Sequence, residues 1–526
     1  MRSHRRRVVL TVLITLLLTL PLGLSPTSAA PAGASETYIV LYRQNATPAD
    51  TALSIGRAGG VVVADYDEIG VVIARSSNAS FAAAMRRDGR VEGAAATTNF
   101  GSYVGGDGAE GPPEGDLPNA PASDSDNLSG LQWDMRQIFT PEAHAITGGS
   151  PSVVVGDIDT GLDFTHPDLA PNYDAANSTD CSGGAPAPLT PGNDQNGHGT
   201  HTAGTIAAAA NEVGIVGVAP NVKIAGIKGS NDSGFFFPEM VVCAFMWAGS
   251  HHLDVTNNSY YADPFLYNCR NDAEQRAIWK AEMRAIRYAM TEGVTVVASA
   301  GNESDDMSHP TYDGSSPDYP PGTNVDREIT NACVKVPVEV PGVVGVSANG
   351  HNTQTDDNDD PNEYLKSYYS SYGVSGVDVV APGGDSRYGI NAEATNGRVL
   401  STYPSYKSCS RSAVDPTEPT ATYCYLQGTS MAGPHVAGLA ALIISRYGDG
   451  STPQNGKMRP EQVAALLSQT ADPQPCPTAL PTGYSAVMRP DGTPQLCQGG
   501  EGHNSWYGDG QVNALRAVTH SSGNGS

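Results

Sequence analysis

The sequence predicts an α/β fold: a largely parallel sheet with helices on both faces, preceded by a small α+β unit. Two observations carry this. Beyond residue 150, short apolar strand-like runs alternate with helical patterns, the signature of strands joined by crossover helices. Before that, residues 36–103 read β-α-β-β-α-β, the order of a ferredoxin-like module. At 526 residues the chain can bury a large core.

The elements follow in order. YIVLYR (38–43) reads as a strand and residues 47–58 as a short helix. GGVVVADYDEIGVVIARS (59–76) reads as two strands about a turn, and SFAAAMRRDGRV (80–91) as helix then strand. PSVVVGDIDTG ends in a strand, HGTHTAGTIAAAA opens a helix, VKIAGIKG is a strand and PEMVVCAFMWAGS a helix. LDVTNNSYY is a strand, and DAEQRAIWKAEMRAIRYAMTEG has the 3.6-residue period of a long amphipathic helix. VTVVASAGNES, VVGVSANG and VDVVAPGGD supply further strands. In such sheets the site lies at the carboxyl ends of the strands, where every polar cluster discussed below falls.

Residues 1–30 are a targeting segment. MRSHRRR is basic, VVLTVLITLLLTLPLGL apolar, and SPTSAAPAGA small and cleavable, as in a secretory signal peptide. Pro21 interrupts the apolar run and no stop-transfer charges follow, so a secreted, extracellular protein without a membrane anchor is expected. Losing the four arginines of this segment, which has no acid, takes the net charge from −25 to −29. That excess of negative charge argues against nucleic acid as a partner. A monomer is expected. Residues 105–127 hold six acids, no base and many Gly and Pro, the composition of a linker. Export makes the eight cysteines candidates for disulfides; Cys409–Cys424 and Cys476–Cys497 are the expected short-loop pairs.

Three segments carry chemistry. Asp159 follows an apolar strand, His198 opens a helix in NGHGTHTAG, and Ser430 stands at the mouth of an apolar helix in GTSMAGPHVAG. A serine at a helix mouth is by itself a helix cap. A serine with a histidine and an aspartate is what acyl transfer needs, the base taking the hydroxyl proton and the acid fixing the imidazole. The chain order Asp–His–Ser excludes the α/β-hydrolase order, in which the serine comes first. His198 and His201 could share a metal at their i, i+3 spacing, but no third ligand or H-E-x-x-H motif accompanies them.

With DTG, HGTHTAG and GTSMAGPHVAG together, the chain resembles the subtilisin-like serine peptidases over about residues 129–520. The resemblance implies a serine endopeptidase acting on polypeptides, with Asp159 as orienting acid, His198 as base and Ser430 as nucleophile. Asn302, in ASAGNES, matches the family's oxyanion-hole asparagine. Where the family usually has S-L-G-G, this chain has Ser259, Tyr260, Tyr261 and Ala262, so substrate is expected to pair with Ser259, Tyr260 and Tyr261, with Ala300 and Gly301 opposite. GSNDSGFFFPE, with Gly234 and Phe236, resembles the other flanking strand, its phenylalanines lining an apolar subsite. Residues 263–292 and 303–335 read as insertions.

The resemblance also implies a structural Ca2+ ion held by Asp168, Asn211 and the main-chain carbonyls of Ala209, Val213 and Ile215; the family's N-terminal ligand is not found at 128–132. The acidic stretch 355–363 is an exposed loop or a second calcium loop. Residues 36–103 resemble the propeptide that assists folding and then blocks the active site with its tail, making the chain its own first inhibitor. The organisation expected is thus signal 1–30, propeptide 36–103, linker 104–128 and peptidase 129–520.

Overall fold

The computed structural model describes residues 35–97, 102–103, 125–261, 265–354, 362–449 and 457–520. The signal segment, most of the linker, and residues 355–361 of the acidic stretch lie outside them.

The N-terminal module contains β1 (Glu36–Tyr42), α1 (Thr51–Arg57), β2 (Gly60–Tyr66), β3 (Val71–Ser76), α2 (Phe81–Met85) and β4 (Val91–Ala96). Its four strands pair antiparallel in the order β2-β3-β1-β4. Alternation along the strands sorts the side chains to two faces. Tyr38, Val40, Tyr42, Val72 and Ala74 pack with the module's own helices around Phe81 and Met85. Ile39, Leu41, Val71 and Ile73 join the core of the following domain. A two-residue strand, β5 (Ser102–Tyr103), follows.

After the short helices α3 (Trp133–Gln137) and α4 (Thr140–His144) comes the main sheet. Its strands are β6 (Val154–Asp159), β7 (Thr179–Asp180), β8 (Lys223–Lys228), β10 (Val255–Asn258), β12 (Thr295–Ser299), β16 (Val344–Thr353), β17 (Tyr364–Lys366) and β18 (Val379–Pro382). The order is β17-β16-β12-β10-β6-β8-β7, with β18 also on β16. All pairs are parallel except β16–β17. The inner strands are buried on both faces, as TVVAS of β12 is throughout, which is why they read as apolar runs rather than as alternation.

The helices beside the sheet include α5 (His198–Ala207), α6 (Pro238–Ser250), α7 (Ala273–Thr291) and α8 (Thr429–Tyr447). Helix α8 is buried from Thr429 to Ile444, so its all-round apolar sequence is that of a core helix. Helix α7 starts where the Asp272 side chain accepts the N–H groups of Glu274 and Gln275, both at 2.9 Å.

Residues 263–292, expected as an insertion, are mostly this helix. It is the platform for the N-terminal module: Arg284 donates to the carbonyls of Tyr42 and Ile69, each at 3.0 Å, and Arg86 pairs with Glu274 at 2.8 Å. The remaining small strands include β9 (Phe235–Phe236), β11 (Asn268–Cys269), β13 (Tyr312–Asp313), β14 (Arg327–Glu328) and β15 (Cys333–Val334). All eight cysteines are paired: 181–243, 269–333, and the two expected pairs 409–424 and 476–497.

Candidate active site

Asp159 is the last residue of β6 and His198 the first of α5, and both are buried. Their helix and strand meet closely because Gly199 has no side chain; a Cβ there would lie 2.2 Å from the Gly161 carbonyl oxygen. Asp159 Oδ1 stands 2.8 Å from His198 Nδ1 and also accepts the Thr160 N–H at 2.7 Å. A carboxylate only accepts, so Nδ1 carries the proton and Nε2 keeps its lone pair. Nε2 has no hydrogen-bond partner among the described residues. His201, the rival, is packed instead: its Nε2 meets the Cys424 carbonyl at 2.9 Å, and burial pushes its pKa down to about 3.

Ser430 lies in the first turn of α8 and is 7% exposed. Its Oγ donates to the Ser259 carbonyl at 3.1 Å, while the Ser259 hydroxyl donates to the Ser430 carbonyl at 3.2 Å. That carbonyl is open because Pro434, four residues on, has no N–H to give it. Pro434 lies inside the helix, and its missing N–H is offset by the Ser259 hydroxyl. Ser259 follows β10, which neighbours β6 with Asn258 beside Ile158; the serine and Asp159 thus share the carboxyl edge of adjacent strands. Ser299 Oγ, at the end of β12, donates to the Thr429 carbonyl at 2.7 Å.

Asn302 stands past the end of β12. Its Oδ1 accepts from the Thr429 N–H at 2.9 Å and from the Thr429 hydroxyl at 3.1 Å. This fixes the amide orientation and leaves Nδ2 as a free donor among the described residues. The Ser430 N–H, in the first helical turn, likewise has no intrahelical acceptor. Two unengaged donors beside a serine hydroxyl are what a developing oxyanion requires.

Two acids that sequence reasoning missed hold this frame. Asp194, buried in the loop before α5, accepts the N–H groups of Gly197 and Thr200 and the hydroxyls of Thr160 and Thr200. Asp157, two residues before Asp159, bonds Thr202 of the histidine helix and Asn257 of β10, each at 2.8 Å. Asn257 in turn reaches Ser259 Oγ at 3.1 Å. Burial pushes the Asp157 carboxyl well above the usual carboxylate range, and the neighbouring Asp159 adds to it.

The subtilase family pattern matches residues 150–510. The chain belongs to the subtilase family. Fervidolysin from Fervidobacterium pennivorans is 29% identical over 366 residues, covering 67% of this chain but 42% of fervidolysin. Subtilisin DY from Bacillus licheniformis is 33% identical over 298 residues, covering 56% of this chain and 78% of its own. Among solved structures, the epidermin leader peptide processing serine protease of Staphylococcus aureus superimposes with a TM-score of 0.63 at 20% identity, covering 94% of this chain and all of that one. That likeness is one of fold.

In this subtilase the expected substrate edges fall as follows. Ser259 and Ala300–Gly301 flank the serine. Phe236 does not line a subsite: it is fully buried and stacks on Tyr260 at 4.2 Å, and Tyr260 is itself buried. Phe235 and Tyr261 instead line a cavity with Ser233 and Ser315, since neighbouring residues of a strand such as Phe235 and Phe236 point to opposite faces. Gly234 precedes β9, which already has a partner: β5 pairs with it antiparallel, Ser102 opposite Phe236 and Tyr103 opposite Phe235.

The expected calcium ligands converge on one loop. Asp168 is buried; its Oδ2 accepts from Ile215 N–H at 3.1 Å and Tyr423 hydroxyl at 2.9 Å, and its Oδ1 has no partner among the described residues. Burial, then the charges of Asp126 and Asp415, push its carboxyl up to about 8. The main-chain carbonyls of Ala209, Val213 and Ile215 accept no hydrogen bond from described residues. The Asn211 side-chain oxygen accepts only Val213 N–H, at 3.0 Å. An orphan carboxylate oxygen with three open carbonyls is a set a hard cation fits, although no cluster of three or more His, Cys, Asp or Glu side chains among the described residues could hold a metal. Asp126, just upstream of residues 128–132, accepts the N–H groups of Asn211 and Glu212, each at 3.2 Å. Residues 126–128 therefore belong to the folded domain, not to the linker.

Proposed function

We propose that the chain is a secreted serine endopeptidase made as a self-processing zymogen. The observation that carries this is the buried Asp159–His198 hydrogen bond of 2.8 Å, with the Ser430 hydroxyl held on Ser259 at the carboxyl end of the neighbouring strand. In the reaction the Ser430 hydroxyl swings from the Ser259 carbonyl to His198 Nε2, gives up its proton, and attacks the peptide carbonyl carbon. Asn302 Nδ2 and the Ser430 N–H bind the resulting oxyanion. The imidazolium, held by Asp159, returns its proton to the leaving amine. Water then releases the acyl group by the same steps.

Residues 36–103 act as the propeptide. The pairing of Ser102–Tyr103 with β9 supports a tail that adds as a strand where substrate would. Bound calcium would sit among Asp168, Asn211 and the carbonyls of Ala209, Val213 and Ile215, and would neutralise the buried acid. Residues 1–30 direct export; no helix of the described residues is long and apolar enough to cross a membrane. A narrower reading, a processing protease for one partner polypeptide, is favoured by the lobe at 303–335 beside the cleft. A non-catalytic secreted binding protein is disfavoured, since all four catalytic positions are filled.

Secreting the chain with and without Ser430→Ala tests the reading. The wild type is expected to lose its residues up to a point within about 100–128, and the variant to keep them. Identical N-termini just after the signal segment would overturn self-processing.

A further inference from the structure

Lys335 is a buried cation, its side chain 1% exposed, and lysines are almost never buried unless paired. It follows β15 at the far end of the lobe, 32 residues along the chain from Glu303. Its own main chain is fixed. Cys333, just before it, is tied to Cys269. The Lys335 N–H donates to Glu339 Oε2 at 2.7 Å, and its carbonyl accepts the Glu339 N–H at 3.0 Å.

What the ammonium holds is one loop. Lys335 Nζ lies 3.0 Å from Glu303 Oε2 and 3.3 Å from Asp305 Oδ2. It donates to the Ala300 carbonyl at 3.5 Å and to the Ser371 hydroxyl at 3.2 Å. Ser371 grips the same loop: its N–H donates to the Gly301 carbonyl at 2.9 Å, and its Oγ accepts the Asp305 N–H at 3.3 Å. The Tyr267 ring lies 5.1 Å from Nζ. Burial alone would lower the Lys335 pKa, but Glu303 and Asp305 outweigh it and raise it above the ordinary value, so the side chain is charged. The fit is close. Gly301 has φ +105°, and a Cβ there would stand 2.6 Å from Glu303 Oε2 and 3.0 Å from Lys335 Nζ. Residues 300–305 thus fold directly onto the ammonium, with Asn302 between the residues it touches.

A buried ion pair can often be replaced by apolar residues at no loss of stability. Stability alone therefore does not account for a charge here, whereas its contacts do. The Asn302 side chain is fixed by Thr429, on the nucleophile's helix. Its loop is fixed by Lys335. We propose that Lys335 is a positioning residue: it holds residues 300–305 where Asn302 Nδ2 can meet the oxyanion. The inference rests on the endopeptidase reading and deepens it: the oxyanion donor is kept in place by a side chain that the lobe supplies. A misplacement of about 1 Å can cost ~10²-fold in rate. A loss confined to the transition state lowers kcat and leaves KM alone.

The test is hydrolysis of a fluorogenic peptide by Lys335→Met, Asn302→Ala and the double variant, with kcat counted per serine labelled by a fluorophosphonate. Lys335→Met is expected to lower kcat ~10- to 100-fold, with KM within about threefold of wild type. In the Asn302→Ala background the same substitution is expected to cost less than about threefold, because the donor it positions is gone. A merely structural lysine would cost the same in both backgrounds. Lys335→Met also strands two acids, so Lys335→Met/Glu303→Gln/Asp305→Asn, which leaves no unpaired charge, is measured beside it. Its kcat is expected to stay ~10-fold or more below wild type, since the tether is still missing. A kcat within about threefold of wild type in either folded variant, or full additivity with Asn302→Ala, overturns the proposal. Absence of both turnover and Ser430 labelling in the wild type rejects the peptidase reading with it.

Discussion

Asp157 offers the sharpest check on how the site is held. It ties the histidine helix to β10, and burial pushes its carboxyl well above the ordinary range. The reading is that it stays a neutral acid, its proton shared with Thr202 Oγ1 while the Thr202 hydroxyl donates to the Gly199 carbonyl at 3.0 Å. Asn can make the same bonds, with Nδ2 as donor and Oδ1 as acceptor. Asp157→Asn should therefore keep kcat/KM within about threefold, with the acid limb of its pH profile unmoved.

The ionised alternative predicts otherwise. Alternate residues of a strand are ~7 Å apart on one face. A unit charge at ~7 Å in an effective dielectric of ~20 is worth about 2.4 kcal/mol, or roughly 1.7 pH units. Removing a negative charge that close to the Asp159–His198 pair would shift the acid limb down by about that much. A downward shift of a unit or more refutes the neutral reading.

Stability gives an independent readout in a Ser430→Ala background. A carboxyl whose folded pKa is raised holds a proton that the unfolded chain has lost. Its contribution is present below the unfolded value of 3.8 and is lost as pH rises towards the folded one, at about 1.4 kcal/mol per pH unit. Asp157→Asn should flatten that slope, measured as denaturant midpoint against pH. Asp157→Ala, which removes one partner each from Asn257 and Thr202 while leaving both another, should cost ~1–3 kcal/mol in total.

Two further predictions concern the oxyanion and the ion. Asn302→Ala should lower kcat by ~10²–10³-fold with little change in KM, the cost of one oxyanion donor as established on a subtilisin; an unchanged kcat would remove Asn302 from the site. Chelation should lower the melting temperature of the wild type, and added calcium should restore it. Asp168→Asn should abolish that response, so a variant that still responds would place the ion elsewhere.

The chemistry was legible because each catalytic residue sits in a fixed local setting. Asp159, His198 and Ser430 follow a strand or open a helix, and Asn302 follows a strand. The parallel sheet was equally plain in its apolar runs. What the sequence hid depends on facing and on distance along the chain. FFF in GSNDSGFFFPE does not say which ring points inward, and Phe236 was expected on the wrong side. Asp126 has the composition of the acidic linker it ends, so its place against the loop at 211 had no local mark. Asp157 and Asp194 drew no notice, since their partners Asn257 and Thr160 come from elsewhere in the fold. The partner that takes up the carbonyl freed by Pro434, Ser259, had no local mark either, since it is 171 residues from Ser430.

The catalytic side chains are spread over separate strands and helices that meet at one edge only when the sheet is whole. Asp159 is drawn from β6, His198 from the start of α5, Asn302 from beyond β12, and Ser430 from the start of α8. A growing chain that has made its acid, base and oxyanion donor still lacks its nucleophile. Completion of the polypeptide would thus work as a safety catch on the proposed enzyme: half-made copies would carry no competent blade.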